Sequence, residues 1–275
     1  MLPRLVAGAE AKEAMELGLA GKVALVTGSY RGTGAGIAEA LAAEGATVLV
    51  HGFEPGQAEP LAERLRSRGQ DVRPVIGEFF DDESAKALAR EALATAGRVD
   101  VLVNNYGVAE RGRWFDDTTD DWIAIYQKNV LSGVRLVRAC VPGMREQQWG
   151  RVIWLGTVGS LRPNARMPHY YASKAVLPTI CVSLAKELSG TGITVNLVSP
   201  GLIATTEVKA QMARRSADPK AADGWAAGLL DNPIGRMAEV EEVASLVAYL
   251  ASERSGAING ANVRVDGGAA DCAVG

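Results

Sequence analysis

The chain alternates between short apolar segments and segments of helical periodicity along nearly its whole length. The apolar segments are rich in β-branched residues and lack alternating polar side chains, which is typical of strands buried on both faces. Strands that alternate with helices through right-handed crossovers form a doubly wound parallel sheet with helices on both faces. The predicted strands, about seven in number, are Val23–Thr27, Thr47–Val50, Val72–Ile76, Val99–Val103, Val152–Leu155, Thr194–Val198 and Ala261–Val265.

Apolar residues at helical spacing predict the crossover segments. The predicted helices are Gly34–Glu44, Ala58–Arg68, Glu83–Ala96, Asp121–Arg145, Tyr170–Leu188 and Val240–Ala251. No linker rich in proline, glycine and serine divides the 275 residues, so a single α/β domain is predicted over residues 21–275. Residues 1–20 form a predicted N-terminal arm with a helical pattern around Ala9–Leu17. Ligands of such sheets bind beyond the carboxyl ends of the strands, which confines the search for a site.

The charge balance argues against a polyanionic partner. With 29 basic and 32 acidic residues the net charge is −3, so neither nucleic acid nor an anionic membrane is expected as a partner. Cys140, Cys181 and Cys272 lie far apart without the paired spacing of metal ligands, and no metal site is predicted. No apolar segment approaches the length of a membrane span, and we expect a soluble, cytoplasmic protein.

A glycine-rich turn, TGSYRGTG, follows the first predicted strand and opens the first helix. It places Gly28, Gly32 and Gly34 where the backbone must turn tightly, and glycine alone lets that backbone approach a ligand closely. The helix that follows offers free N–H groups and the positive end of its dipole to an anion. The position between strand and helix predicts a site for the pyrophosphate of a dinucleotide, although the spacing differs from G-x-G-x-x-G.

Further motifs follow in a fixed order, and together they are specific. NNYG stands at 104–107, Asn129 follows, YYASK stands at 170–174, SPG at 199–201, and ING…VDGG at 258–268. With TGSYRGTG, this series resembles the short-chain dehydrogenase/reductase family over residues 20–268. The resemblance implies a Rossmann fold and an NAD(P)-dependent enzyme that interconverts a carbonyl and an alcohol.

The resemblance also implies roles for individual residues. Gly28, Gly32 and Gly34 would cradle the pyrophosphate, Asn104 and Gly107 would shape the loop beside the adenosine ribose, and Asn105 would tie neighbouring strands. Glu78 stands where the family usually has an aspartate that binds the adenine amine. Other residues that the resemblance places at the cofactor are Tyr30, Phe79, Pro200, Gly201, Ile203 and Thr205.

The end of the second strand, VLVHGFEPG, bears on the choice of dinucleotide. NAD enzymes usually carry an acid there for the ribose 2′-hydroxyl, but that position is Gly52, flanked by His51 and Phe53. Arg31 can pair with a 2′-phosphate, which favours NADP(H) over NAD(H), with His51 and Gly52 beside the adenosine. In the alternative, Arg31 is a solvated turn residue and Glu54 serves the ribose of NAD.

Tyr170 and Lys174 are the predicted acid/base pair. Hydride transfer at carbon needs a proton donor or acceptor at oxygen. A free tyrosine has a pKa near ~10, and bringing it to ~7 takes about 4 kcal/mol, much of which a nearby ammonium can supply. Residues four apart share a helix face, so both side chains can enter one cleft. Tyr171, three residues from Lys174, is a competitor, but the family spacing Y-x-x-x-K selects Tyr170.

Two further residues complete the family's catalytic set. Thr157 lies thirteen residues before Tyr170, where the family has a serine that holds the substrate oxygen, and a threonine hydroxyl has the same capacity. Ser160 lies in the same loop at the wrong interval. Asn129 would hold a water that links Lys174 to solvent. Tyr106 stands where a small alanine is usual, so its ring is expected to face the substrate cleft or displace the backbone.

The substrate is expected to be a small carbonyl or alcohol compound, bound by segments 106–115, 157–169 and roughly 202–232. The last of these includes Met212, Trp225, Leu229 and Leu230 and is predicted to be a mobile lid. Two alternatives remain: the same fold and cofactor used for imine reduction or epimerisation, and a catalytically silent dinucleotide-binding scaffold. The resemblance further implies a homotetramer in which the helices at 121–145 and 170–188 pack between subunits.

Overall fold

The computed structural model describes residues 16–217 and 232–271. In these ranges seven parallel strands form one sheet in the order β3-β2-β1-β4-β5-β6-β7. The predicted doubly wound α/β fold is therefore confirmed, with most strand ends within a residue or two of the predicted ones. The strands are β1 Val23–Val26, β2 Thr47–Gly52, β3 Val72–Ile76, β4 Val101–Asn104, β5 Gly150–Leu155, β6 Ile193–Pro200 and β7 Asn262–Val265.

Helices cover both faces of the sheet. Those in the described residues are α1 Gly32–Ala43, α2 Glu59–Arg66, α3 Asp82–Ala96, α4 Thr119–Tyr126, α5 Ser132–Glu146, α6 Pro168–Ala175, α7 Leu177–Glu187, α8 Thr206–Ala217 and α9 Val240–Ala251. A short π-helix, Gln127–Leu131, joins α4 to α5.

Two predicted helices are interrupted, and one observed helix was not predicted. The segment 121–145 is divided by the π-helix, where Ser132 N–H bonds to the Gln127 carbonyl one residue beyond the α-helical partner. The segment 170–188 divides at Val176, because Pro178 has no N–H to continue the ladder and restricts the residue before it. Helix α8 lies in the segment predicted to be a lid, and its only large apolar residues, Val208 and Met212, are too few to give a periodic apolar signal.

The core consists of two apolar clusters, one on each face of the sheet. Ala24 and Val26 of β1 face the cluster that includes α1 and α9, while Leu25 between them faces the cluster that includes α3 and α5. All three are fully buried. This arrangement explains why the strands are apolar at consecutive positions rather than alternating.

The strand order reverses between β1 and β4, which makes their carboxyl ends the topological switch point of the sheet. Hydrogen bonds join the two loops that leave this point. Thr27 N–H donates to the Val103 carbonyl at 3.0 Å, Asn105 Nδ2 donates to the Thr27 carbonyl at 2.8 Å, and Tyr106 N–H donates to Thr27 Oγ1 at 3.0 Å. The predicted role of Asn105 in tying strands agrees with this bond.

The end of the predicted arm packs on the domain. Leu19 is 1% exposed in the cluster beside α9, and the Leu17 carbonyl accepts a hydrogen bond from Glu253 N–H at 3.1 Å. Residues 16 and 17 are not helical, and the rest of the helical pattern at Ala9–Leu17 lies outside the described residues. In the described part of the chain, no helix is long and apolar enough to span a bilayer.

Candidate active site

A cleft of about 390 Å³ opens at the carboxyl ends of the central strands. Nine of the predicted site residues line it, from α6 and from the ends of β4, β5 and β6 with the loops that follow them. They are Asn105, Gly107, Thr157, Tyr170, Lys174, Pro200, Gly201, Ile203 and Thr205. The cleft therefore brings together the predicted acid/base pair and the predicted nicotinamide end of the cofactor site.

Lys174 is buried at the floor of the cleft. Its Nζ donates to the Leu155 carbonyl at 2.8 Å, and the residue is 5% exposed. Burial lowers its pKa to about 8, so the ammonium form still prevails at pH 7. A positive charge held in this position favours the phenolate form of a neighbouring tyrosine.

Tyr170 is partly exposed to the cleft, one helical turn before Lys174. Burial raises its pKa to about 12, and a hydrogen bond with Thr157 partly opposes that rise. The neighbouring Tyr171 raises it further. In the protein without cofactor, Tyr170 is therefore protonated at neutral pH and can act as a proton donor.

Tyr171, the competing tyrosine, lies elsewhere. It is 4% exposed, and its hydroxyl accepts a hydrogen bond from Asn164 Nδ2 at 2.9 Å. Its ring packs so closely on Gly159 that a Cβ there would collide with it. Of the two tyrosines, the structure therefore places Tyr170 in the cleft and Tyr171 in the core.

Thr157 follows β5 and caps the short 3-10 helix Val158–Ser160. Its Oγ1 accepts from Gly159 N–H at 3.1 Å, which leaves the hydroxyl proton to be donated into the cleft. Ser160, by contrast, donates its hydroxyl to the Thr157 carbonyl at 2.8 Å and does not line the cleft. The thirteen-residue interval thus selects the hydroxyl that faces Tyr170.

Asn129 lies in the π-helix, where an inserted residue turns its side chain towards the loop after β4. Its Oδ1 accepts from Val108 N–H at 2.7 Å, and its Nδ2 donates to the Val108 carbonyl at 3.0 Å and to Ser173 Oγ at 3.1 Å. A Cβ on Gly107 would stand 2.9 Å from both Asn129 Oδ1 and Lys174 Nζ. Asn129 thus holds the loop against Lys174, and its role in a water relay stays a prediction.

The glycine-rich turn forms an open cradle above α1. Gly28 and Gly32 have φ of +61° and +56°, which L side chains rarely adopt. A Cβ on Gly34 would stand 2.6 Å from Asn105 Nδ2 and 2.7 Å from the Gly28 carbonyl. Since α1 begins at Gly32 without a side-chain cap, its first N–H groups remain available to an anion.

Beside this cradle, Arg31 is largely exposed. Its side chain is 64% exposed, its guanidinium lies 5.3 Å from the Tyr30 ring centroid, and its Nη1 is 3.9 Å from Glu207 Oε1. At the end of β2, Gln57 Oε1 accepts from Phe53 N–H at 2.8 Å, close to Gly52. Where an NAD enzyme usually has a carboxylate, this chain thus has Gly52, in a turn that the neutral side-chain amide of Gln57 holds.

Two predicted cofactor residues, His51 and Phe79, and also Tyr106 lie differently from the expectation. The His51 ring is fully buried with hydrogen bonds on both nitrogens, so it lies beneath the glycine turn rather than beside an open ribose site. Phe79 is 1% exposed, whereas Glu78 is exposed and its role at the adenine stays a prediction. Tyr106 points away from the substrate cleft, into an aromatic cluster. Its ring centroid lies 4.9 to 5.5 Å from those of Phe53, Phe79 and Phe80.

The predicted substrate segments frame the cleft in part. Trp114 and Phe115 are exposed, and the Trp114 ring lies 5.0 Å from that of Trp122. His169 is 3% exposed and packs towards Trp122, as a core residue would. Trp225, Leu229 and Leu230 lie outside the described residues, and the lid stays a prediction.

A family model described as Enoyl-(Acyl carrier protein) reductase matches residues 28–270. The chain belongs to the short-chain dehydrogenase/reductase family. It is an oxidoreductase of that family. The oxidoreductase YvaG of Bacillus subtilis is 36% identical over 262 residues, covering 92% of this chain and 98% of that protein. The 3-oxoacyl-[acyl-carrier-protein] reductase FabG of Haemophilus influenzae is 36% identical over 251 residues, covering 90% and 98%.

Solved members of the short-chain dehydrogenase/reductase family share the fold. L-sorbose reductase from Gluconobacter frateurii, complexed with NADPH and L-sorbose, superposes with a TM-score of 0.87 at 30% identity, covering 94% of this chain and all of that one. A 3-oxoacyl (acyl-carrier-protein) reductase from Agrobacterium tumefaciens with NADP bound gives 0.83 at 32% identity, covering 92% and 96%.

Three cleft residues lie outside the predicted site residues and substrate segments. They are Thr33, Leu155 and Gly156. Ala109 and Val208 also line the cleft, and they lie in the predicted substrate segments 106–115 and roughly 202–232. Leu155 and Gly156 immediately precede Thr157 at a strand end, a position that could have indicated them. Val208 lies on α8, a helix that the sequence pattern did not predict inside that last segment.

Proposed function

We propose that this protein is an NADP(H)-dependent oxidoreductase that interconverts a carbonyl and an alcohol, with Tyr170 as general acid and base. The observation that carries the proposal is that Tyr170 and Thr157 line one cleft with the buried Lys174 ammonium. These groups share a cleft with the loop after β6 and adjoin the glycine cradle. A silent dinucleotide-binding scaffold has no physical need for Tyr170, Lys174 and Asn129 together.

The residues present fit a dinucleotide. The cradle leaves no room for a Cβ at Gly34, and the positive φ of Gly28 disfavours any side chain there. The first N–H groups of α1 would hold the pyrophosphate. Ile203 and Thr205 would hold the nicotinamide end, and Lys174 would donate to its ribose hydroxyls. When bound, the cofactor supplies or accepts the hydride.

The proton follows a separate path through the chain's own residues. In reduction, Tyr170 Oη gives its proton to the substrate oxygen while carbon gains the hydride, so that C=O becomes CH–OH. Thr157 donates a hydrogen bond to the same oxygen and positions it. Lys174 stabilises the phenolate that remains on Tyr170, which then takes a proton from solvent. In oxidation the same groups act in reverse.

Arg31 and Gly52 support NADP(H) rather than NAD(H). An exposed guanidinium beside the cradle can bind a 2′-phosphate, and no carboxylate stands at Gly52 to repel one. The relatives crystallised with NADP and with NADPH agree with this choice.

We therefore expect Arg31→Glu to raise the KM for NADPH about tenfold to a hundredfold, because a charge-assisted bond is replaced by repulsion. The KM for NADH should change less than about threefold. Arg90→Glu, at an exposed arginine of α3, is the control and should change neither. Steady-state kinetics at 340 nm gives both constants, and an equal change for the two cofactors would refute the assignment.

The named substrates of the relatives define the first panel to test. A 3-oxoacyl thioester and a ketose such as L-sorbose represent two chemical classes of carbonyl. Consumption of NADPH with either class, together with formation of the alcohol, supports the proposal. Tight NADPH binding without turnover of any carbonyl would favour the scaffold.

We also propose a homotetramer assembled through α5 and α7. These helices form an apolar groove of about 430 Å³ that includes Val137, Val141, Leu184 and Leu188. Covering such a face with a second copy removes apolar surface from water. Light scattering should give a mass four times that of the 28.9 kDa chain, and Val141→Glu should shift it to smaller species. A monomer at micromolar concentration would contradict this assembly.

A further inference from the structure

A buried histidine joins the two loops that flank the adenosine end of the predicted cofactor site. Gly28 N–H donates to His51 Nδ1 at 3.0 Å, and His51 Nε2 lies 2.8 Å from the Gly77 carbonyl. The residue is 0% exposed, and its ring meets those of Phe53 and Phe79 edge-on at centroid distances of 4.8 and 5.1 Å.

These two bonds require one form of the imidazole. Because Gly28 N–H is a donor, Nδ1 must carry a lone pair, and because the Gly77 carbonyl is an acceptor, Nε2 must carry the proton. The neutral Nε2–H tautomer alone satisfies both. A proton on Nδ1 would face the Gly28 N–H group and break the bond.

The backbone of the same residue holds the turn from the other side. His51 N–H donates to Ser29 Oγ at 2.9 Å, and Ser29 Oγ donates to the Val26 carbonyl at 2.7 Å. Gly28 and Ser29 of the glycine turn are thus both hydrogen-bonded to His51 of β2, Gly28 through the imidazole and Ser29 through the backbone N–H. Gly77 in turn precedes Glu78 and Phe79 on the loop that leaves β3.

We infer that His51 is a positioning residue for the dinucleotide, which sets the spacing between the glycine turn and the loop after β3 without touching the ligand. The inference rests on the proposed function and adds to it a residue that controls the affinity for the cofactor. Loss of the imidazole, or its protonation, should release the Gly28 end of the pyrophosphate cradle. The effect should fall on cofactor binding rather than on hydride transfer.

The electrostatics agree with this geometry. Burial lowers the pKa of His51 to about 4, with the Gly77 carbonyl partly opposing the fall. The charged and titratable groups on the loops that surround His51 are Arg31 on the glycine turn, Glu54 after β2, Glu78 after β3 and Tyr106 after β4. Among the described residues none of them forms an ion pair or hydrogen bond with the ring.

The direction of the pH effect follows from that shift. The folded-state pKa lies below the unfolded value of about 6.5, so the contribution of the neutral ring to stability is complete above pH 6.5. It falls as the pH drops from there towards 4. Cofactor binding depends on the ring in the folded protein, so affinity should weaken only as the pH approaches 4.

The test uses titration calorimetry to measure the dissociation constant of NADPH at pH 7.5 and that of acid-stable NADP⁺ between pH 7.5 and 4, beside KM and kcat. His51→Leu removes both bonds and should raise the Kd and the KM for NADPH about tenfold to a hundredfold, with kcat at saturation within about threefold. His51→Asn keeps an acceptor for Gly28 N–H, so it should recover part of that affinity.

The pH profile separates positioning from packing. A 2′-phosphate also titrates near pH 6, but it does so equally in every variant. The acid loss of affinity should therefore be smaller in His51→Asn, whose amide does not titrate, than in the wild type. His169→Asn, a change at the other histidine of the chain, should keep the wild-type acid loss.

The outcomes distinguish a failure of the inference about His51 from a failure of the proposed function. If His51→Leu binds NADPH normally, or loses kcat while KM is unchanged, His51 is not a positioning residue. An unaltered acid profile in His51→Asn would overturn it as well, even if His51→Leu fails to fold. Failure of the wild type to bind NADPH at all would instead refute the proposed function.

Discussion

Tyr170→Phe should lower kcat about a thousandfold while the Kd for NADPH stays within about twofold of the wild type. The substitution removes only the hydroxyl that exchanges its proton with the substrate oxygen. Thr157 and Lys174 stay in place, so substrate and cofactor still bind. Single-turnover reduction followed at 340 nm measures the loss, and titration calorimetry measures the retained affinity.

Tyr171→Phe is the matched control for this prediction. It deletes a hydroxyl that Asn164 binds at 2.9 Å in the core, which should cost about 1 kcal/mol of unfolding free energy. Turnover should stay within about twofold of the wild type. Retention of more than a tenth of the turnover in Tyr170→Phe, or a large loss in Tyr171→Phe alone, would show that the proton donor is misassigned.

Gly34→Ala should abolish measurable cofactor binding, with an increase in the Kd for NADPH of more than about a hundredfold. The added Cβ would stand 2.7 Å from the Gly28 carbonyl, and backbone cannot yield as a flexible side chain can. The turn must move away from α1, so the cradle opens. Titration calorimetry with NADPH measures the change.

Gly143→Ala is the control for Gly34→Ala, because it also lies in a helix. A Cβ at Gly143 meets nothing within 4 Å. Alanine there should stabilise the protein by up to about 1 kcal/mol through helix propensity, which thermal unfolding would register. Near-normal NADPH binding in Gly34→Ala would mean that the ligand does not use this turn.

The sequence pattern predicts the sheet well, because strands buried on both faces have a consecutive apolar pattern that little else produces. It predicts helix interruptions poorly. The π-helix around Asn129 comes from the fit of α4 and α5 to the loop after β4, through contacts with Val108 that no local pattern contains. The break at Val176 is more accessible, since Pro178 stands in the sequence.

The site residues also divide into those that the sequence predicts well and those that it predicts poorly. Motif spacing brings Tyr170, Lys174 and Thr157 together because each follows or faces a strand end whose place in the sheet is known. The direction in which a side chain points at a strand end depends on contacts with neighbouring strands, which motif spacing does not show. His51 turns inward to Gly28 and Gly77, and Tyr106 turns into the aromatic cluster, because polar and aromatic partners from three loops meet there.

Transfer of deuterium from NADPH labelled at both hydrogens of C4 of the nicotinamide tests the central claim most directly. The label should appear in the alcohol formed from one member of the carbonyl panel, at carbon and not at oxygen, as read by mass spectrometry. It should appear at a rate that Tyr170→Phe lowers about a thousandfold. Deuterium that stays on the nicotinamide with every carbonyl, in protein that binds NADPH tightly, would contradict the account.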